Sequence, residues 1–246
     1  VDSPRQVDSP RQVDSPRQVD SPRQGVSIKF WGHAFVSLTQ GGQTLAIDPY
    51  YPAGEIPASL EPTLVLVTHG HGDHLGEAVP LAKRAGCEIL AITDLAHYLH
   101  GEGAAVRTAH FGGKVTFPFG WVKIVPAIHS STGPQGQYLG EPAGFLIQLF
   151  GRLFYHAGDT ALFSDMALLK NEGPLFCAFL PIGGLYTMDP QDALEAVRLL
   201  SPAWVVPIHF DTFPRIAQDG LAFSRRVEEE TASHALLMTP GEERIL

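Results

Sequence analysis

The chain has 246 residues, a formal net charge of −9 and 44% hydrophobic residues, enough apolar content for a substantial core and an acidic balance that argues against a generic nucleic-acid surface. No apolar run approaches the roughly 20 residues needed to span a bilayer and no secretory signal is visible, so a soluble, cytoplasmic protein with neither a membrane nor a nucleic-acid partner is expected. Cys87 and Cys177 stand alone in apolar segments and read as small core residues, neither a disulfide nor thiolate ligands.

Residues 1–24 are four identical copies of Val-Asp-Ser-Pro-Arg-Gln. Each copy balances one Asp against one Arg and has a single aliphatic residue beside a proline, so no apolar face forms at a helical or a strand period. The stretch reads as an added, disordered leader. One domain over 25–246 is expected, and the net charge belongs to it.

Residues 26–30 alternate apolar and polar, and 35–38 and 44–47 follow across Gly32 and Gly41-Gly42, which predicts three short antiparallel strands. Asp48-Pro49 ends the third, because proline removes a ladder donor. Residues 64–68 form a wholly apolar, buried-type strand, and 75–85 have helical spacing closed by Gly86. A strand over 88–92, a short helix capped by Asp94 and running to His100, and strands over 106–109, 115–117 and 121–128 come next. Residues 130–142 are rich in Gly, Ser and Pro, a loop long enough to cover a site. A hairpin over 145–155, a helix over 165–170, a strand over 176–180, a helix over 190–200 and a strand over 204–207 precede a last helix over 221–233 and a strand over 235–238. Strands dominate the first half and alternate with helices in the second, which predicts an α+β fold of two packed sheets with helices outside, an αββα sandwich.

Thr68-His69-Gly70-His71-Gly72-Asp73-His74 places three imidazoles and a carboxylate directly after the apolar strand over 64–68. Neutral imidazole and carboxylate suit a borderline divalent ion such as Zn²⁺, and a strand end gives them a rigid support. Gly70 and Gly72 are expected to let the backbone fold tightly enough for neighbouring side chains to face one point. His129, Asp159 and His209 each follow another apolar strand. Seven N/O ligands exceed what one tetrahedral ion needs and suit two ions sharing a carboxylate. His97 and His100 share a helix face with nothing converging on them, and His110, His156 and His234 read as structural or surface residues. Tyr186, Thr187 and Met188, and Phe210, Thr212 and Phe213, are candidates to line a cleft.

The motifs Gly32-His33, Ile47-Asp48-Pro49, Thr68 to His74, His129-Ser130-Ser131, Tyr155-His156-Ala157-Gly158-Asp159-Thr160, Pro181-Ile182-Gly183-Gly184 and Pro207-Ile208-His209 cover essentially all of 25–246. In these the sequence resembles the metallo-β-lactamase superfamily, and more closely its branch of small metal-dependent hydrolases that includes the L-ascorbate-6-phosphate lactonase-like proteins and the UPF0173 family. The resemblance implies the metallo-β-lactamase fold and a binuclear site holding two divalent ions, Zn foremost with Mn, Fe or Ni as alternatives. It implies His69, His71 and His129 on one ion, Asp73, His74 and His209 on the other, Asp159 bridging, and Asp48 orienting a ligand imidazole from behind. His33 matches the branch's Gly-His motif, close to metal or substrate; a backbone hydrogen bond from its Nδ1 would explain it equally well.

The expected chemistry is hydrolysis of an ester, lactone or phosphodiester bond of a small-molecule substrate by hydroxide bridging the ions, with Asp73 handling the proton and His33 as a second candidate. The same fold hosts di-iron redox centres, but those usually replace one of the motif's histidines by a carboxylate, which this sequence does not. A catalytically silent metal-binding protein would have no need of all seven ligands. A homo-oligomer is compatible with the sequence.

Overall fold

In the computed structural model residues 25–246 are described, and the leader expected over 1–24 lies outside them. The first half of the described chain runs β1 (Ser27–Gly32), β2 (Phe35–Gln40), β3 (Gln43–Ile47), β4 (Leu64–Leu66), α1 (Gly72–Leu75), α2 (Ala78–Ala85), β5 (Glu88–Ile92), α3 (Thr93–Gly101) and β6 (Val106–Ala109). The second half runs β7 (Lys114–Phe117), β8 (Gly120–Pro126), β9 (Ala143–Leu149), β10 (Arg152–His156), β11 (Leu175–Pro181), α4 (Pro190–Leu200), β12 (Trp204–Ile208), α5 (Gly220–Glu230), β13 (His234–Ala235) and β14 (Glu243–Ile245). Two seven-stranded sheets result, ordered β14-β1-β2-β3-β4-β5-β6 and β13-β12-β11-β10-β9-β8-β7. Pairing is antiparallel from β14 to β3 and from β7 to β10, and parallel from β3 to β6 and from β10 to β13.

The apolar runs that show no alternation in the sequence belong to strands covered on both faces. In β4, Leu64 and Leu66 point into the core between the sheets, while Val65 and the following Val67 meet Leu81, Leu95 and Leu99 on the helical side. In β11, Cys177 and Phe179 join the inter-sheet core, and Ala178 and Leu180 pack with Leu194 and Val197 of α4 and Phe223 and Val227 of α5. The period of two thus sorts one chain into three apolar layers, and the αββα sandwich follows. Cys87 and Cys177 are free thiols, the second fully buried between the sheets.

Several elements differ from the sequence pattern. The helix expected over 75–85 is split at Gly76 (φ 40°), where a Cβ would lie 2.5 Å from Pro49 O, so the loop after β3 approaches too closely for any side chain there. Asp94 lies inside the first turn of α3, with Ile92 at the cap position and no side-chain cap. Residues 164–172 form 3₁₀ turns where an α-helix is expected, and the last apolar strand shortens to β13. β14 is legible in no apolar pattern, because Glu243, Arg244 and Ile245 are all exposed and the segment is held by backbone pairing to the edge of β1. Among the described residues no helix is long and apolar enough to cross a membrane.

Candidate metal centre

Asp48 follows β3, His69 to His74 follow β4, His129 follows β8, Asp159 follows β10 and His209 follows β12, while His33 sits in the turn between β1 and β2. The side chains meet, so these strand ends share one rim of the sandwich. Ligand-capable atoms of His69, His71 and His129 lie within 4.8 Å of one another, and so do those of His33, Asp73, His74 and His209. His69, His74 and Asp159 form a third such group that joins the two. Asp159, 3% exposed, is central: its Oδ1 is 3.2 Å from His74 Nε2, and its Oδ2 is 3.0 Å from His209 Nε2 and 3.5 Å from His129 Nε2.

These contacts are close but not satisfied as hydrogen bonds. His74 Nε2, Asp159 Oδ1 and His209 Nε2 are buried without a hydrogen-bond partner, a costly arrangement for protein alone and the one a cation between them would relieve. His69 Nε2 and His71 Nδ1, by contrast, are hydrogen-bonded to each other at 3.0 Å. The donor set, imidazole nitrogen and carboxylate oxygen with no thiolate, therefore fits divalent first-row ions.

The rear of the site fixes the tautomers. Asp48 is fully buried and accepts from Thr68 N at 2.8 Å, from the Thr68 hydroxyl at 2.7 Å and from His74 Nδ1 at 2.8 Å. His74 thus carries its proton on Nδ1 and turns Nε2 to Asp159. The Thr68 hydroxyl, its own proton committed to Asp48, accepts from His69 Nδ1 at 3.0 Å, which leaves His69 Nε2 bare. Hydrogen bonding behind a ring is what raises its basicity towards a metal. Thr68 has no chemistry of its own in the sequence; its place directly before His69, at the end of the apolar strand, is the signal that could have marked it.

His33 differs from the backbone-bonded alternative. Its Nδ1 lies 3.0 Å from Thr212 Oγ1 and its Nε2 3.2 Å from Asp73 Oδ2, so the Nε2 proton goes to the carboxylate and Nδ1 accepts from the threonine hydroxyl. His33, Asp48 and His209 all adopt left-handed backbone, with φ of 55°, 50° and 53°. Strained backbone of this kind, about 1 to 3 kcal/mol per residue, persists only where surroundings hold it; here His209 N donates to His33 O at 2.7 Å.

Electrostatics keep the imidazoles in the ligand form. Burial lowers His69 well below the ordinary histidine value, and lowers His71 and His129 as well. Burial brings His33 down to about 4, against the raising effect of its Asp73 hydrogen bond. His74 is the exception: burial opposes its charge, but Asp159 and Asp48 on either side outweigh it and hold its pKa well above the usual value. Burial pushes Asp159 up, yet His74 and His209 hold it well below the carboxylate range, and His33 and His74 do the same for Asp73.

Gly70 and Gly72 act otherwise than expected, since neither has a positive φ. A Cβ on Gly70 would lie 2.7 Å from Leu139 Cδ1, so Gly70 lets the loop over 130–142 close on the motif, where Ser131 Oγ also accepts from Gly70 N at 3.0 Å. Gly72 meets nothing and simply begins α1. Met188, fully buried beside α4, lines no cleft, whereas Phe213 stands 5.5 Å from the His33 ring and Tyr186 is half exposed. His156 is a satisfied core residue, donating from Nε2 to Ala34 O at 3.0 Å. His97, His100, His110 and His234 join none of the three groups.

The beta-lactamase superfamily domain matches residues 27–209. The chain belongs to the metallo-β-lactamase superfamily. It is 46% identical over 222 residues to a UPF0173 metal-dependent hydrolase of Thermus thermophilus, covering 88% of this chain and 97% of that one. A UPF0173 metal-dependent hydrolase of Thermococcus kodakarensis is 42% identical over 224 residues, covering 89% and 98%. Igni18, described as a novel metallo hydrolase from Ignicoccus hospitalis, superposes with a TM-score of 0.84 at 33% identity over 90% of this chain and 98% of its own. Within the metallo-β-lactamase superfamily the chain therefore belongs with the UPF0173 metal-dependent hydrolases.

Proposed function

We propose that this UPF0173 member holds two divalent ions, Zn foremost, and hydrolyses an ester, lactone or phosphodiester bond of a small substrate in the cytoplasm. His69, His71 and His129 hold one ion, Asp73, His74 and His209 the other, and Asp159 lies between. The supporting observation is Asp159 itself, a buried carboxylate within 3.5 Å of imidazoles from both groups with one oxygen unpartnered. Ions in these positions supply Lewis acidity and lower the pKa of water towards about 7.

The chain's own residues divide the remaining work. Asp73, whose side chain is 33% exposed where Asp159 is 3%, is the one site carboxylate open to the groove and takes the proton released by the attacking water. Neutral His33 donates to Asp73 Oδ2, aims the carboxylate and keeps it ionised, while Thr212 keeps the His33 proton on Nε2. Asp48 and Thr68 hold His74 and His69 with their Nε2 atoms forward.

Metal analysis of purified protein should give about two equivalents, and the metal-loaded protein should turn over at least one member of a panel of lactones, thioesters, phosphodiesters and phosphorylated sugars. A metal-replete preparation that binds none would overturn the reading.

A further inference from the structure

Next to the metal centre lies a cavity of about 620 Å³, in the size range of small-molecule sites. Phe30 and Met238, 3% and 2% exposed, form its inner wall, and the half-exposed Leu221 and Leu237 stand at its mouth. Apolar side chains left open to water around a buried apolar floor are what an apolar ligand covers with gain.

The cavity adjoins the chemistry through two shared side chains. His33 and Thr212 both line it, and His33 Nε2 lies 3.2 Å from Asp73 Oδ2. A group seated there ends one imidazole away from the carboxylate assigned to proton transfer.

Charge decides what kind of group fits. Among the described residues the lining contains Asp211 and Asp219 and no Lys or Arg. Both carboxylates are already engaged, Asp211 Oδ1 with Gln218 N at 2.8 Å and Asp219 Oδ1 with Ala222 N at 2.9 Å, where it caps α5. An anionic group would meet two carboxylates and no counter-charge, and the helix N-terminus that could have received it is occupied.

We propose that this cavity is the subsite for an uncharged apolar part of the substrate, an alkyl chain or ring attached to the bond cleaved at the metal centre. The location of cleavage rests on the hydrolase reading above; occupancy of the cavity does not. The full chain, metal-free and zinc-loaded, is titrated with the neutral fluorophore N-phenyl-1-naphthylamine, followed by displacement with 1-decanol or with decanoate. Fluorescence should rise on binding in both forms, and decanol should displace the probe about tenfold better than decanoate. Leu221→Trp and Leu237→Trp, substitutions at exposed positions, should weaken the probe by about tenfold or more with zinc content and melting temperature retained. In parallel, KM for p-nitrophenyl esters from acetate to octanoate should fall with chain length in the parent and flatten in Leu221→Trp. Absence of probe binding, equal displacement by decanoate, or unchanged binding in both tryptophan variants overturns the subsite. Probe binding with the predicted variant effects but no turnover of any ester overturns ester hydrolysis and leaves the subsite standing.

Discussion

Replacing Asp48 separates the fold's dependence on this carboxylate from the site's. Asp48→Ala leaves three buried donors unpaired, the Thr68 N–H, the Thr68 hydroxyl and the His74 Nδ1–H. At about 1 to 3 kcal/mol for each buried group left unsatisfied, and allowing for entry of water, the loss is about 3 to 6 kcal/mol. For a domain of this size that corresponds to a fall of about 10 to 20 °C in melting temperature. Asp48→Asn keeps the shape and the tolerance for left-handed backbone at φ 50°. Its amide NH₂ replaces the oxygen that receives His74 Nδ1–H, so the His74 proton is driven to Nε2, the atom facing Asp159. The asparagine variant should therefore keep most of its thermal stability and lose about 10- to 100-fold in metal affinity. Calorimetry of the metal-free proteins and zinc competition against a chromophoric chelator read the two effects independently. A melting temperature for Asp48→Ala within about 2 °C of the parent, or parental zinc affinity in Asp48→Asn, would refute the reasoning.

Three further outcomes follow from the same geometry. His71→Ala and His209→Ala should each retain about one metal equivalent in place of two, measured by elemental analysis, and full occupancy in either would remove that residue from the ligand set. Gly70→Ala should cost about 1 to 3 kcal/mol, because its Cβ would lie 2.7 Å from Leu139 Cδ1. Leu139→Ala should offset part of that loss in the double variant, and strict additivity in denaturant melts would show that the loop does not press on Gly70. The metal-free protein should lose stability as the pH falls from about 6.5 towards 4. His33, at about 4, and His69, His71 and His129, all lowered by burial, refuse protons in the folded state that the unfolded chain accepts in that window. For the buried His33 and His69 the slope approaches about 1.4 kcal/mol per pH unit each, and the more exposed His71 and His129 add a screened contribution of the same sign. His74, raised, contributes in the opposite sense: its stabilisation is complete below the unfolded value and fades as the pH rises through its folded one. Urea melts at several pH values check the sum, and stability that rises on acidification through this window would contradict it.

The ingredients of the site and their order are legible in the linear chain. His69 to His74, His129, Asp159 and His209 stand out because each follows an apolar run, and a period of two in one half with strand and helix alternating in the other already indicates layered sheets. What a linear pattern cannot hold is which apolar faces meet and which polar atoms are left without partners. β14 escaped because its exposed residues leave no apolar signature; backbone pairing to β1 and the Ser27–Glu243 side-chain hydrogen bond secure it. The helix break at Gly76 joins glycine's low helix propensity to the close approach of Pro49, and the second is invisible in the linear chain. Tertiary structure also decided the tautomers, through Asp48 and Thr68, and turned His33 from an isolated motif residue into the link between Thr212 and Asp73. Residue type specifies which ligands are chemically possible; only the convergence of strand ends from two sheets determines which of them share a site.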